Sequence, residues 1–396
     1  MIANHLGPEI EARADAIEDT LVAIRRDLHA HPELAFEEVR TAGVVADRLQ
    51  ALGIPHRREV GRTGVLAEIE TGRPGPTLLL RADMDALPIQ EQTGLPFASL
   101  LPGKMHACGH DLHTATLLGV AEVLHGLGDR LNGTIRLMFQ PAEEVSDSGA
   151  LAMMGDGALE GVDMALGFHN YPGEPVGSFS YVPGVAGGSS DEFTITVSGR
   201  SGHAARPHLA ADPVVGAATL VLQLQTVVSR ETDPIHPVVL TIGVIEGGLA
   251  ANIIPDAVRL RGTVRTHRES DRAIMEAAIR RHCEGVSTSL RLHCRMDWER
   301  GTPPLRSDAR VMEPTMRAIA AHFGRDAVIE ASPSFGAEDF ALIGEKVPAF
   351  QLGIGSQTPG RQDELHNSDY QPDERSIRNG VVALSIAACE LLSPSV

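Results

Sequence analysis

The stretch Lys104–His113, KMHACGHDLH, holds three histidines, a cysteine and an aspartate within eight residues. So many nitrogen, sulfur and oxygen donors at such short spacing suit a metal ion. Cys108 and His110 lie two residues apart, so an extended or looped backbone can aim both at one point. Asp111 stands where it would cap the apolar helix pattern that follows, HTATLLGVAEVLHGL.

Other donors follow apolar runs that read as buried strands. TLLLRA precedes Asp83 and Asp85, GTIRLMFQ precedes Glu143 and Glu144, and VDMALGF precedes His169. Helical patterns separate some of these runs, which predicts a mostly parallel sheet with helices on both faces. In such sheets the carboxyl ends of the strands line the binding crevice. His366 comes from a later segment, ELHNSDY. The candidate ligands are therefore Cys108, His110, Glu144, His169 and His366. They come from four separate segments, as in a catalytic site, whereas structural zinc sites usually take two close pairs.

Five donors suit one open-coordinated ion, or two ions ~3.5–4 Å apart with a bridging ligand. A metal-bound water with its pKa lowered to about 7 is a nucleophile. Glu143 and Glu144 then divide the work, Glu144 binding metal and Glu143 acting as general base. Asp85 would hydrogen-bond a ligand imidazole and fix its tautomer. His29 and His31 read as a helix end closed by Pro32. Cys283 falls on the apolar face of a helix, and His293 and Cys294 alternate along a strand. These three, with His282, read as structural.

At 396 residues, two domains are expected. The net charge of -18 argues against nucleic acid and anionic membrane surfaces as partners. No apolar run approaches the ~20 residues that span a bilayer. The N-terminal stretch lacks a basic region followed by an apolar one, so it does not read as a signal peptide. The four cysteines have no regular spacing, and the expected compartment is the cytoplasm. Residues 1–187 and 302–396 are expected to form one α/β domain. Residues 188–301 read as β-α-β-β-α-β, a ferredoxin-like insertion. Its first helix starts at Asp212-Pro213, a cap followed by proline at the first position.

At these residues the chain resembles the metallopeptidase family of aminoacylases, succinyl-diaminopimelate desuccinylase and glutamate carboxypeptidases. The match is to its amidohydrolase branch of hippurate hydrolases and auxin-conjugate hydrolases. The motifs run in order: LLLRADMDALPIQE, GKMHACGHDLHTA, FQPAEE, GFHNYPG, SGHAARPH, GGLAANIIPD, RGTVRT, GAEDF and ELHNSDY. The resemblance implies that Cys108, His110, Glu144, His169 and His366 hold one or two divalent ions (zinc, manganese, nickel or cobalt). It implies Glu143 as base and Asp85 as orienting acid. The insertion resembles the family's lid and dimerisation domain, which implies a homodimer, with a tetramer as the larger alternative. From it, His203 and Asn252 would donate to the developing oxyanion. Arg265 would clamp the substrate carboxylate bidentately. Arg206 and Tyr171 stand where relatives often carry an apolar residue and a tryptophan. The implied reaction is hydrolysis of N-acyl-L-amino acids, small-molecule substrates of hippurate or N-acetyl type. The alternatives on the same fold are a dipeptidase or carboxypeptidase and an N-acetyl-diaminopimelate deacetylase. Outside metal catalysis stand a Cys108–His110 thiol nucleophile and a catalytically silent binder of acyl-amino acids.

Overall fold

The computed structural model describes residues 2–393. The chain divides into two compact units. One comprises Met1–Gly184, Arg306–Ser332 and Asp339–Val396; the other comprises Val185–Leu305 and Pro333–Glu338.

In the first unit, helices α1 (Ile2–Ala30), α2 (Val39–Leu52) and α3 (His110–Leu127) accompany an eight-stranded sheet. Its strands include β1 (His56–Val60), β2 (Gly64–Glu70), β3 (Thr77–Asp83), β4 (Thr134–Gln140), β5 (Met164–Pro175) and β6 (Phe179–Tyr181). The order is β1-β2-β4-β3-β5, then Ala349–Gln357, β6 and Val328–Glu330. The centre is parallel: β3 pairs β4 and β5, and β5 pairs Ala349–Gln357, all in parallel. The β1–β2 and β2–β4 pairs are antiparallel. Helices cover both faces. Leu166 and Phe168 point into the main core, while at the intervening Gly167 an added Cβ would lie 3.1 Å from the Phe340 ring. Phe340 belongs to the short helix Phe340–Gly344 on the opposite face.

The main core joins these strands to α1, α2, α3 and the helices Ala309–Phe323 and Arg375–Leu391. Helix α2 stops at Gly53, whose φ of 73° allows its N–H to close on Gln50 and Leu49. The edge strand β1 was not legible in HRREV, because three of its five residues are exposed and charged side chains mask the period.

In the second unit the element order is strand Asp191–Ser198, helix Pro213–Thr226, strands Val238–Gly247 and Ala257–Thr266, helix Glu269–Leu290 and strand His293–Arg300. Val238–Gly247, Ala257–Thr266, Asp191–Ser198 and His293–Arg300 lie in that order in one antiparallel sheet. Both helices contribute to a separate apolar core with the sheet. Asp212 caps its helix by accepting from Val214 N–H at 2.9 Å.

The unit boundaries differ from those expected at 187/188 and 301/302. Residues 185–187, 302–305 and 333–338 group with the second unit. Backbone bonds explain it: Ala186 N–H donates to Leu305 O at 2.8 Å, Ser334 N–H to Ala186 O at 3.0 Å and Gly188 N–H to Gly336 O at 3.0 Å. His267 also stacks on Phe335 with centroids 4.2 Å apart. Among the described residues, no helix is long and apolar enough to cross a membrane.

Candidate metal centre

Three neighbouring parallel elements deliver donors to one rim. Asp83 ends β3, Glu143 and Glu144 follow β4, and His169 lies in β5. Helix α3 begins at His110. The residue before it, Gly109, has φ 90°, and an added Cβ there would lie 2.2 Å from Asn170 Nδ2. Only glycine fits both the left-handed backbone and the close approach. The expectation that Asp111 caps this helix is corrected: the N-cap position is Gly109 and Asp111 lies within the first turn. Its carboxylate is drawn instead to Arg25, 2.8 Å away, and His29.

The five expected donors gather. Ligand atoms of Cys108, His110 and His169 lie within 4.8 Å of one another, as do those of Cys108, Glu144 and His366, and those of His110, Glu143 and Glu144. Cys108 is common to the first two groups. Cys108 Sγ and His169 Nε2 are 3.5 Å apart, and His366 Nε2 lies 3.2 Å from Glu144 Oε1.

The donor atoms fit an ion better than they fit each other. His110 Nε2 is buried without a hydrogen-bond partner, a costly state unless something else occupies it, and the buried Glu144 Oε1 faces His366 Nε2. Thiolate, imidazole and carboxylate suit a transition metal. The chain thus carries residue groups able to bind metal ions.

The ring nitrogens that aim inward are directed by the partners that hold their opposite sides. His110 Nδ1 is 3.2 Å from Asp85 Oδ1, and Asp85 Oδ2 accepts from Glu144 N–H at 3.0 Å. Asp85 therefore orients one imidazole and also pins the Glu143–Glu144 backbone. His169 Nδ1 bonds Asn170 O at 2.8 Å, leaving Nε2 toward Cys108.

Several supporting residues had no assigned role in the sequence. Asp83 Oδ1 bonds His113 Nδ1 at 2.6 Å, and His113 Nε2 accepts from Asn170 N–H at 3.0 Å. Asn170 Nδ2 donates to Cys108 O at 2.8 Å, and the Tyr370 hydroxyl donates to Asn170 Oδ1. Fully buried Arg81 reaches Asp83 at 2.6 Å and Asp339 at 2.8 Å. An arginine inside the apolar run TLLLRA was the available signal, since a buried guanidinium requires acidic partners. Asp339 is the aspartate of the GAEDF motif.

The histidine at the end of α1 also meets this support. His29 is buried and bonds Asp111 at 2.8 Å and Glu91 at 3.3 Å. His31 instead caps its own helix end, bonding Asp27 O at 2.8 Å. His282 pairs with Glu231 at 3.1 Å and Cys283 is buried in the second core. His293 is exposed where neighbouring Cys294 is half-buried.

Electrostatics disfavour a free thiol nucleophile. Burial pushes the Cys108 thiol well above its ordinary range, and the Glu144 and Glu143 charges add to this. A cation at the site reverses that preference by stabilising the thiolate. Burial also raises the Asp83 carboxyl, but the charges of His110, His113 and Arg81 outweigh it and hold the group well below the usual range.

His203, Asn252 and Arg265 belong to the second unit. His203 and Asn252 come together there: His203 pairs with Ile253, and Ala204 N–H donates to Asn252 O at 3.1 Å. Both side chains are exposed. Arg265 lies in Ala257–Thr266, half-buried, and burial lowers its pKa.

A rim of sulfur, imidazole and carboxylate donors at the ends of parallel strands defines a metal-binding α/β enzyme. The model of Peptidase family M20/M25/M40 matches residues 79–389. The N-acetyl-L-cysteine deacetylase of Bacillus subtilis is 41% identical over 376 residues, 95% of this chain and 89% of that protein. An IAA-amino acid hydrolase of Arabidopsis thaliana is 37% identical over 391 residues, 96% of this chain and 87% of that protein. A Bacillus subtilis protein described as a dinuclear metal binding peptidase from the M20 family superposes with TM-score 0.84. It is 34% identical, with 96% of this chain and 99% of that chain covered. The chain belongs to Peptidase family M20/M25/M40 and is a hydrolase of that family.

Proposed function

We propose that this hydrolase is a metal-dependent amidohydrolase that cleaves N-acyl-L-amino acids to a carboxylic acid and a free amino acid. The observation that carries the reading is the convergence of Cys108, His110, Glu144, His169 and His366, with His110 Nε2 buried and without a hydrogen-bond partner. These five are the proposed ligands for one or two divalent ions, with zinc, manganese, nickel and cobalt as candidates. A divalent ion there supplies Lewis acidity, polarising the amide carbonyl and acidifying water.

Glu143, grouped with His110 and Glu144, is the proposed base. It takes the proton from the attacking water and passes it to the leaving amine. Asp85 keeps His110 in the tautomer that directs Nε2 inward. From the second unit, His203 and Asn252 are assigned to the oxyanion and Arg265 to the substrate carboxylate. That unit is read as a ferredoxin-like lid through which two copies pair. Exposed Val214, Val215 and Leu222 on one helix and Ile245 on an edge strand support the pairing. The protein is placed in the cytoplasm, and its four unpaired cysteines support a reducing compartment.

A panel of hippurate, N-acetyl-amino acids, N-acetyl-diaminopimelate and dipeptides, assayed beside elemental analysis, tests the reading. Acyl-amino acids should be turned over by metal-loaded protein. Turnover confined to dipeptides would replace the acyl-amino acid assignment, and no amide hydrolysis by loaded protein would remove it.

A further inference from the structure

Glu38, at the entry to α2 in the segment FEEVRTAG, is fully buried. Its carboxyl ties together three loops. Oε1 accepts from Phe36 N–H at 3.0 Å and from Ala142 N–H at 2.9 Å, and Oε2 accepts from the Thr63 hydroxyl at 2.5 Å. Phe36 (φ 61°) and Ala142 (φ 51°) are left-handed residues other than glycine, and Thr63 follows a third, Arg62 (φ 74°). L residues occupy that region only where their surroundings hold them there.

Ala142 directly precedes Glu143. Its carbonyl accepts from Gly149 N–H at 3.0 Å, and an added Cβ on Gly149 would lie 1.7 Å from Pro141 O. On the other side, Glu144 N–H ends on Asp85 Oδ2 at 3.0 Å. The peptide N–H groups of both residues flanking Glu143 are thus held by buried carboxyl groups from other parts of the chain.

We propose that Glu38 is a positioning residue, whose acceptor oxygen fixes the left-handed turn at Ala142 and so sets the direction in which Glu143 presents its carboxyl to the reacting water. The proposal rests on the reading of Glu143 as the base. Burial pushes the Glu38 carboxyl up to about 7, with the Asp85 charge contributing. Its neutral form still offers Oε1 to both N–H groups and turns Oε2 into a donor toward Thr63. A glutamine provides the same pattern.

Glu38→Gln and Glu38→Ala are compared by steady-state kinetics, metal content and amide exchange over residues 141–149. Misdirecting a reacting group by about 1 Å costs on the order of 100-fold. Glu38→Ala should therefore lower kcat by tens of fold at temperatures well below its melting point, with KM and metal content little changed. Exchange over 141–149 should accelerate. Glu38→Gln should restore kcat and protection to near wild type. Wild-type kcat in folded, loaded Glu38→Ala overturns the proposal, as does a loss that follows metal content. If Glu38→Ala does not fold, Glu38→Asp, one methylene too short to reach all three donors, is read by the same criteria. Absence of turnover in the wild type removes the amidohydrolase reading instead, and exchange at 141–149 still decides whether Glu38 holds the turn.

Discussion

Glu143 and Glu144 are adjacent, yet the fold gives them different surroundings. Glu144 has a buried oxygen 3.2 Å from His366 Nε2 and a backbone N–H fixed by Asp85. Glu143 joins the group formed with His110 and Glu144. Glu143→Gln keeps the shape and removes the proton acceptor, so metal content should hold while kcat falls roughly 10²–10⁴-fold. Wild-type turnover in that variant would rule out Glu143 as the base. Cys108→Ala addresses the other role. Cys108 is shared by two donor groups, so its loss should lower the metal-to-protein ratio measured by elemental analysis. An unchanged ratio would rule it out as a ligand.

Legibility at the residue scale followed the chemistry. Donors that must differ from their apolar surroundings stood out, including His110, Glu144 and Asp85. Their supports did not, because each works through a partner remote in sequence. Asn170 meets Tyr370 across 200 residues, and Glu38 meets Ala142 across 104. No local spacing announces such a pair.

At the scale of elements, the strand ends were readable from apolar runs. The brace formed by α1 was read only as a helix end. Arg25 and Asp111 are both buried, with Nε 2.8 Å from the carboxylate, and His29 bonds the same oxygen. The end of α1 thereby grips the first turn of α3, which begins with His110. Removing one partner of a buried ion pair costs about 3–5 kcal/mol. Arg25→Ala should therefore lower unfolding stability by that order in denaturant melts, and a loss indistinguishable from zero would show the brace to be dispensable.

His29 gives the brace a pH signature. Burial and the neighbouring Arg25 oppose its charging, but the bonds to Asp111 and Glu91 outweigh them and raise its pKa above 6.5. Its contribution is then complete below about pH 6.5 and declines as pH rises through the folded-state value. Wild type should exceed His29→Gln in stability most at acidic pH, with the gap closing on the alkaline side. A gap independent of pH would show that His29 is not the titrating group.

At the scale of the whole molecule, composition and length predicted two domains. The segment 333–338 could not be assigned from sequence, because its grouping rests on backbone bonds to residues near 186. The two units have separate apolar cores, and all five proposed ligands come from the first. A ligand that binds only folded protein stabilises it by about 2.7 kcal/mol when its concentration is 100 times Kd. Metal should therefore raise the melting of the first unit alone. The single tryptophan, Trp298, packs against the second core and stacks parallel to Phe193. Tryptophan fluorescence follows the second unit, whereas far-ultraviolet circular dichroism follows both. Chelation should lower the main dichroism transition by roughly 5–10 °C, since about 1 kcal/mol moves a domain of this size by a few degrees. The fluorescence transition should stay in place. If both probes fall together on chelation, the two units unfold as one cooperative body, and the metal stabilises the whole chain instead of the first unit.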